Sequence, residues 1–300
     1  MAHISVLLQE SIKLLDPKTK EIIVDGTIGS GGHSLEIIKK SPDVFLIGLD
    51  KDSEAIKRSE EILSKTSSKF SLHKSDFRNF DKVLKKEGVE KIDGLLLDLG
   101  LNSEQLENSG RGFSFMKDEP LLMTFENMES ENLFSAKDIL NTWSEESIKN
   151  IIFGYGEEKY AGKIAKAIVT RREDRKFETT KDLVDVIKEV VPLKYRNGKT
   201  HFATKTFQAL RIAVNDELEG LKEALQKSIQ YLNPQGRVVV ISFHSLEDRV
   251  VKNFFKNWEK ENLGKILTKK PTYPTEEEIS INPRSRSAKL RAFIKNENNY

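Results

Sequence analysis

Ile22-Ile-Val-Asp-Gly-Thr-Ile-Gly-Ser-Gly-Gly-His-Ser34 joins a short apolar run to a glycine-rich turn. The apolar run predicts a buried strand, and the residues from His33 onward predict a helix. Glycine adopts backbone angles that are closed to other residues, and the first turn of a helix offers unpaired N–H groups. We therefore expect a nucleoside-bearing cofactor to lie on the main chain at Gly29, Gly31 and Gly32.

The residues around this turn favour one cofactor over another. The dinucleotide fingerprint Gly-x-Gly-x-x-Gly places Ser34 where its third glycine belongs, which disfavours a pyrophosphate. Asp25 precedes the turn, where a carboxylate suits a cationic ammonium or sulfonium, and S-adenosylmethionine (AdoMet) carries both. Asp50, after the next apolar run, is placed to accept hydrogen bonds from ribose hydroxyls. This stretch alone leaves an alternative to cofactor binding open: a structural turn in which Asp25 and Asp50 only cap helices.

Strand-like and helix-like segments alternate through the first hundred residues, with further strands expected at 44–49, 69–73 and 92–98. This rhythm predicts a parallel sheet with helices on both faces. The carboxyl ends of its strands meet at one edge, where ligands bind. Those ends supply Asp25, Asp50, Asp76 with Phe77, Asp98, and residues 242–245. Acids at consecutive strand ends predict a functional site rather than unrelated helix caps.

The alternation stops between residues 106 and 205, where helical segments follow an irregular loop. It resumes with one long amphipathic helix at 207–231, a turn at 233–236, and strands at 237–242, 265–268 and 288–295. We therefore predict an α/β core in two parts, residues 1–105 and 206–300. An all-helical substrate-recognition subdomain is expected at residues 106–205.

The overall composition limits the class of function. Of 300 residues, 37% are hydrophobic and 32% charged, and the net charge of +2 leaves nucleic-acid binding to local clusters. No apolar run approaches the roughly 20 residues of a membrane span, and no secretion signal is recognisable, so we expect a cytoplasmic protein without a membrane partner. The absence of cysteine and the five scattered histidines predict no metal site.

Asp98-Leu-Gly-Leu-Asn-Ser-Glu-Gln105 follows the fourth strand. A methyltransferase acting on an exocyclic amine needs acceptors facing the amino group, because the nitrogen lone pair is delocalised into the ring. Transfer is then an in-line displacement that needs no metal. We predict Asp98 as the catalytic acceptor, with Asn102 and Ser103 beside it. The Asx-Pro-Pro-aromatic turn of amino-methylating DNA enzymes is absent, and the group that takes the amino proton is left open.

Several further motifs run in order through the chain. They are His3-x-x-Val-Leu-Leu-x-Glu, Asp25-Gly-Thr-x-Gly-x-Gly-Gly-His-Ser, Leu97-Asp-Leu-Gly, Ser103-x-Gln105-Leu, Arg111-Gly-Phe-Ser-Phe, Thr206-Phe-Gln-Ala-Leu-Arg-Ile-Ala-Val-Asn-Asp-Glu-Leu, Ser242-Phe-His-Ser-Leu-Glu-Asp-Arg and Asn282-Pro-Arg-Ser-Arg-Ser-Ala-Lys-Leu-Arg. Together they resemble the RsmH (MraW) family, which N4-methylates a cytidine of bacterial small-subunit ribosomal RNA.

The resemblance implies a class I Rossmann-like AdoMet-dependent methyltransferase sheet with an inserted all-helical subdomain. It implies a cytidine in the decoding region of 16S rRNA as the target, and rRNA or the small ribosomal subunit as the partner, with a homodimer left open. It also implies cofactor contacts at Gly31, Gly32, His33, Asp50, Phe77, Asp98 and Gln105, to which the residue pattern adds Asp25 and Gly29.

A target cytidine must leave its stack to reach the methyl group, and an aromatic plane normally receives it. We expect Phe113, Phe115 or Phe243 to stack on the base. Polar edges would be read by Asn215, His244 and Ser245, and phosphates contacted by Arg284 and Arg286. Each residue has a structural alternative, since buried phenylalanines usually belong to a core and His244 is as readily a satisfied structural histidine.

Two segments depart from the family pattern. Residues 122–126 read Leu-Met-Thr-Phe-Glu where the family has Asp-Met-Arg-Met-Asp, and residues 201–205 read His-Phe-Ala-Thr-Lys in place of His-Pro-Ala-Thr-Arg. Two other functions stay under consideration, the first from the motifs alone and the second because of the altered residues 122–126. One is a small-molecule enzyme that uses AdoMet or a dinucleotide, and the other is a ribosome-assembly binding protein with a degenerate site.

Overall fold

The computed structural model describes residues 5–101, 109–126 and 133–297. The chain forms two compact units: a core unit of Met1–Gly100 with Leu218–Tyr300, and a helical unit of Leu101–Glu217. The second segment of the core unit begins at Leu218, later than residue 206, which the sequence predicted. The reason is that the helix Thr204–Asn215 buries Phe207 and Leu210 among the apolar side chains of the helical unit.

The described part of the core unit contains a seven-stranded sheet in the order β3-β2-β1-β4-β5-β7-β6. The strands are β1 Ile22–Asp25, β2 Phe45–Asp50, β3 Lys69–Lys74, β4 Ile92–Asp98, β5 Leu232–Ser242, β6 Gly264–Ile266 and β7 Lys289–Lys295. The strands β1 to β5 run parallel, as the alternation predicted, whereas β7 runs antiparallel to both β5 and β6. Lys289 pairs with Ser242, so β7 begins at the edge where β5 ends.

The central strands are continuous apolar runs because both faces of the sheet are covered. Successive side chains point to opposite faces. Leu95 and Leu97 accordingly join one apolar cluster, which includes Phe80 and Phe255, while Leu96 joins the other. This packing fixes the strand ends, and with them the acids that follow each strand.

The helices of the core unit are Leu8–Leu15, Gly32–Lys40, Ser53–Leu63, Phe80–Glu87, Ser245–Lys260 and Glu276–Ile281, with short 3-10 turns at Phe77–Asn79 and Pro283–Ser287. A further helix, Glu217–Tyr231, begins at the boundary of the two units. The side chain of Asp52 accepts from the backbone N of Glu54 at the start of the helix Ser53–Leu63. No helix in the described ranges is both long and apolar enough to cross a bilayer.

The helical unit contains Ala136–Thr142, Glu145–Gly156, Ala161–Asp174, Thr180–Val190, Leu193–Arg196 and Thr204–Asn215. These helices enclose apolar side chains that include Ile152, Ile164 and Phe177. Ser144 caps its helix by accepting from the backbone N of Ser147. At Thr180–Val190 the capping residue is Thr179.

Two predicted elements differ in the structure. The single helix expected at 207–231 is two helices, because Asp216 adopts a left-handed conformation with φ 50°. Aspartate tolerates this region better than most residues. The turn expected at 233–236 lies within β5, whose register against β4 shifts between Ile92 and Gly94.

Candidate functional site

The glycine-rich turn joins β1 to the helix Gly32–Lys40, as predicted. Gly29 and Gly31 have φ of 55° and 77°, values that side chains with a Cβ rarely adopt. The turn is held by a hydrogen bond of 2.9 Å from Oγ of Ser59 to the carbonyl of Gly29. Its backbone is therefore ordered and close to a helix N-terminus, as a ligand-binding turn requires.

Gly32 serves a second purpose. A Cβ at this position would lie 2.1 Å from Oγ of Ser5, so a larger residue would displace the Ser5 side chain. Contact with Ser5 favours glycine at position 32, and the predicted contact of Gly32 with a cofactor stays a prediction.

Asp25 ends β1 and is 1% exposed. Its Oδ2 accepts a hydrogen bond of 2.7 Å from Oγ of Ser34, and its Oδ1 accepts one of 3.2 Å from the backbone N of Thr27. Burial raises the pKa of Asp25 to about 6, against the opposing effect of these two hydrogen bonds, and the charge of Asp50 adds to the rise.

Asp50 ends β2 and supports the turn. Its Oδ2 accepts from the backbone N of Gly29 at 3.0 Å, and its Oδ1 accepts from the backbone N of Asp52 at 2.9 Å. Burial raises the pKa of Asp50 to about 6 in spite of these bonds. A carboxylate has about four acceptor sites, so Asp50 retains capacity for the ribose hydroxyls that the sequence predicted.

Asp98 ends β4 and is the most perturbed of the three acids. Its Oδ1 is buried and has no hydrogen-bond partner among the residues that the structure describes. Burial, followed by the negative charges of Asp25 and Glu247, raises the pKa of Asp98 to about 7, against the opposing effect of a hydrogen bond from the backbone of Gly100. Its backbone N donates to Oγ1 of Thr27 at 2.6 Å. Since a buried acceptor is normally satisfied, Oδ1 is an open position for a ligand N–H.

The third strand ends differently. Asp76 accepts from the backbone N of Arg78 at 2.9 Å and forms ion pairs with Arg78 and Lys51. Its carboxylate is therefore engaged by cations of the core unit itself. Phe77 is half-buried in the core, and a Cβ on Gly26 would lie 3.0 Å from its Cβ. Its stacking on an adenine ring stays a prediction.

These residues fit a cationic cofactor. Asp25, Asp50 and Asp98 each have a pKa raised from 3.8, which means that their hydrogen bonds compensate the burial of the ionised forms only in part. Between the ordinary and the raised pKa the folded chain holds protons that an unfolded chain has released, so these groups reduce stability as the pH rises through that range. A bound sulfonium or ammonium group would favour the ionised forms and remove this cost.

The residues after β5 form a helix cap. Oε2 of Glu247 accepts from the backbone N of Phe243 at 2.8 Å and of His244 at 3.2 Å, while Nδ1 of His244 accepts from the backbone N of Glu247 at 3.4 Å. Nε2 of His244 lies 3.1 Å from Oε1 of Glu247 without hydrogen-bonding geometry. This placement favours the structural alternative for His244. Ser245 is exposed.

Phe243 lies close to Asp98. A Cβ on Gly100 would come within 2.6 Å of the Phe243 ring, so the ring packs on the backbone that follows β4. Phe243 is only partly buried. Of the three aromatic residues predicted to stack on a base, Phe243 is the one in the core unit, where it packs on Gly100, two residues after Asp98.

Four basic residues near the end of the chain, Arg284, Arg286, Lys289 and Arg291, fall into two groups. Two of them bind an acid of the core unit, and the other two are exposed. Arg291 is 7% exposed and binds Asp248 through both its Nε, at 2.6 Å, and its Nη2, at 3.2 Å, and Lys289 lies 3.7 Å from the same carboxylate. Arg284 and Arg286 are exposed on the 3-10 turn Pro283–Ser287 that leads into β7. That turn lies at the edge of the sheet where β5 ends, which is also the edge where Asp25, Asp50 and Asp98 end their strands.

Two predicted substrate residues have structural roles in the helical unit. Phe113 is 6% exposed and stacks on Phe125 within the apolar core, with ring centroids 5.5 Å apart. Asn215 uses both N–H donors, on the carbonyls of Met123 and Arg211, and its Oδ1 accepts from the backbone N of Phe125. These contacts favour the structural alternative for both residues.

Phe115 keeps part of its surface open. Its ring stacks on His201 with centroids 4.4 Å apart, and burial lowers the pKa of His201. Phe115 is partly buried against the core of the helical unit. Its predicted contact with a base therefore stays a prediction.

Asn102, Ser103 and Gln105 lie outside the described residues. The structure instead adds partners that the sequence did not single out. Thr27 and Ser34 bind the backbone and side chain of the strand-end acids, and Glu247 organises the residues after β5. The sequence did mark Ser34 as unusual, because serine stands there in place of the third glycine of the dinucleotide fingerprint. It did not indicate that Ser34 binds Asp25.

Comparison with known proteins identifies the family of this chain. The model of the MraW methylase family matches residues 1–296. The chain belongs to the MraW methylase family. This membership confirms the resemblance seen in the sequence, the class I Rossmann-like methyltransferase fold, the assignment as an enzyme that transfers methyl groups, and AdoMet as the methyl donor.

Individual relatives are similar to this chain along almost their whole length. The ribosomal RNA small subunit methyltransferase H of Thermotoga neapolitana is 49% identical over 97% of this chain and 95% of the relative. The protein of the same name from Sulfurihydrogenibium sp. is 47% identical, covering 96% and 97%. That from Clostridioides difficile is 46% identical, covering 98% of each.

Proposed function

We propose that this methyltransferase transfers a methyl group from AdoMet to N4 of a cytidine in the decoding region of 16S ribosomal RNA. The observation that carries the proposal is Oδ1 of Asp98, a buried acceptor that no described residue engages, at the end of β4. The names of the relatives support a substrate in the small ribosomal subunit.

The strand-end acids are proposed to hold the cofactor. Asp25 and Asp98 supply negative charge for its cationic groups, Asp50 accepts from ribose, and the left-handed turn at Gly29 and Gly31 lets the ligand approach the backbone. Further contacts are proposed for Gly32, His33, Phe77 and Gln105. When bound, AdoMet supplies a methyl group activated by the positive charge on sulfur.

Asp98 is proposed to polarise the target amine. The lone pair of the cytosine amino group is delocalised into the ring, and an acceptor on one N–H favours its localisation on nitrogen. An acid is most effective as a general base when its pKa lies near the working pH, and burial raises that of Asp98 to about 7. Asn102 and Ser103 are proposed to assist from the following segment.

The remaining contacts would select the RNA. Phe243, partly buried beside Gly100, is the proposed stacking platform for the extruded base, and Phe115 is a proposed second aromatic contact. Arg284 and Arg286 are exposed at the same edge as Asp98 and would bind flanking phosphates. The helical unit is proposed to recognise substrate.

The direct test is incubation with labelled AdoMet and small ribosomal subunits at several stages of assembly, followed by nucleoside analysis of the RNA. We expect label in N4-methylcytidine of the 16S molecule and none with the variant Asp98→Ala. Label in a small metabolite would instead identify a small-molecule enzyme. Cofactor binding without transfer would identify a binding protein.

A further inference from the structure

The ring of His33 has a defined protonation pattern. Its Nε2 lies 3.2 Å from the carbonyl oxygen of Val6, and the ring is 6% exposed. A carbonyl only accepts hydrogen bonds, so Nε2 carries the proton of the neutral ring. The lone pair of neutral His33 is therefore on Nδ1.

Nδ1 of His33 faces the catalytic acid. It lies 3.8 Å from Oδ2 of Asp98, and the two side chains are 7% and 20% exposed. This distance suits an ion pair and is longer than a hydrogen bond. The terminal torsion of an aspartate is broad, and catalytic hydrogen bonds often tighten only when substrate is bound. A small rotation of the carboxyl group, or one water, would connect the two groups.

The surroundings favour a proton at this pair. Asp25 on β1 and Glu247 on the helix Ser245–Lys260 both place negative charge near Asp98. With burial they raise the pKa of Asp98 to about 7, against a hydrogen bond from the backbone N of Gly100. Once Asp98 has given up its proton, its carboxylate stabilises a nearby imidazolium, which favours passage of the proton to His33.

We propose that His33 receives the proton that Asp98 takes from the target amine. The proposal rests on the proposed function, because it needs an amine that donates to Asp98. In the transfer a nitrogen–carbon bond forms, and the sulfur–carbon bond breaks with its electron pair going to sulfur. The amine proton moves to Oδ1 of Asp98. Rotation of the carboxyl group presents that proton to Nδ1 of His33.

After this step Asp98 is ionised again, and His33 is an imidazolium with Nε2 still bonded to Val6. The imidazolium loses its proton to water when the products leave. His33 acts through Asp98, so it is a positioning residue that restores the acceptor for the next turnover. This role adds to the predicted contact of His33 with the cofactor.

The proton linkage is testable in the ligand-free full-length protein. Nuclear magnetic resonance titration of the histidine rings compares the wild type with Asp98→Asn. A carboxylate stabilises a nearby imidazolium, so we expect His33 to titrate at lower pH in Asp98→Asn. His73, whose Nε2 lies 2.8 Å from Oε1 of Glu87, is the internal control. An unchanged titration of His33 would overturn the proposal.

Kinetics test the role in turnover. For His33→Gln we expect kcat, measured at saturating AdoMet, to fall about tenfold or more and the pH profile to change. His73→Gln is the matched control. A retained kcat and pH profile would contradict the proposal, even if AdoMet bound more weakly. A wild type without RNA methylation at any pH would refute the proposed function instead, and the titration remains decisive if His33→Gln does not fold.

Discussion

The hydroxyl of Ser34 donates a hydrogen bond of 2.7 Å to Oδ2 of Asp25, and both side chains are buried. The bond joins the first helical turn after the glycine turn to the end of β1. It opposes the effect of burial on the pKa of Asp25. Ser34 thus keeps more of the Asp25 carboxylate ionised than burial alone would allow.

We expect Ser34→Ala to raise the pKa of Asp25 further and to weaken AdoMet binding by about tenfold near neutral pH, because a hydrogen bond to a charged group contributes about 1.5–3 kcal/mol. Calorimetric titration measures this change. Ser228→Ala is the matched control, since Ser228 is equally buried and donates to the carbonyl of Leu225. Equal AdoMet affinity in the wild type and Ser34→Ala would show that Asp25 does not bind the cation.

Asp98→Asn keeps the shape of the side chain and removes its negative charge. We expect the single-turnover rate of methyl transfer to fall by about 100-fold or more, because positioned acid–base groups contribute factors of this size. The fold should be retained, since Oδ1 has no partner among the described residues. Asp81→Asn, which removes an ion pair with Lys227, is the control. Transfer at the wild-type rate would exclude Asp98 as the acceptor.

Gly31→Ala tests the left-handed turn. Gly31 has φ 77°, and Gly88 has φ 69° at a helix end with nothing within 4 Å of an added Cβ. Both alanine variants should lose about 1–2 kcal/mol of stability from backbone strain. Thermal unfolding measures that loss. Only Gly31→Ala should also lose AdoMet affinity, and an equal affinity in the two variants would remove the turn from the binding site.

The exposed arginines before β7 are tested together. We expect the double variant Arg284→Gln, Arg286→Gln to bind rRNA more weakly and to reduce the slope of log affinity against log salt by about 1–2, because each phosphate contact contributes roughly 0.7–0.9. AdoMet binding should not change. Lys85→Gln with Lys86→Gln, on the exposed end of another core helix, is the control. An unaltered salt slope would assign the RNA contact elsewhere.

The turn and the strand-end acids could be predicted because their signals are local. A glycine with positive φ, an apolar run and the acid after it are all neighbours in sequence. The roles of Phe113 and Asn215 could not be predicted in this way. Asn215 meets Met123 only after the helical unit has folded, and periodicity does not distinguish a core aromatic ring from a stacking one.

The divided helix shows the same limit. The apolar spacing at 207–231 is continuous, yet Asp216 turns the chain and separates a helix of the helical unit from the one that follows. Partners such as Ser34 and Thr27 were present in the motif. Their function became clear only once the hydrogen bonds to Asp25 and Asp98 were known.

AdoMet is proposed to bind among carboxylates whose pKa values lie at about 6 and about 7 without ligand. Calorimetric titration of AdoMet between about pH 5.5 and about pH 7.5 tests it most directly, since a cation favours the ionised acids. We expect the affinity to rise by about tenfold or more over this range, with protons released at the lower pH. Binding that is absent, or that does not depend on pH, would show that AdoMet does not bind among these carboxylates.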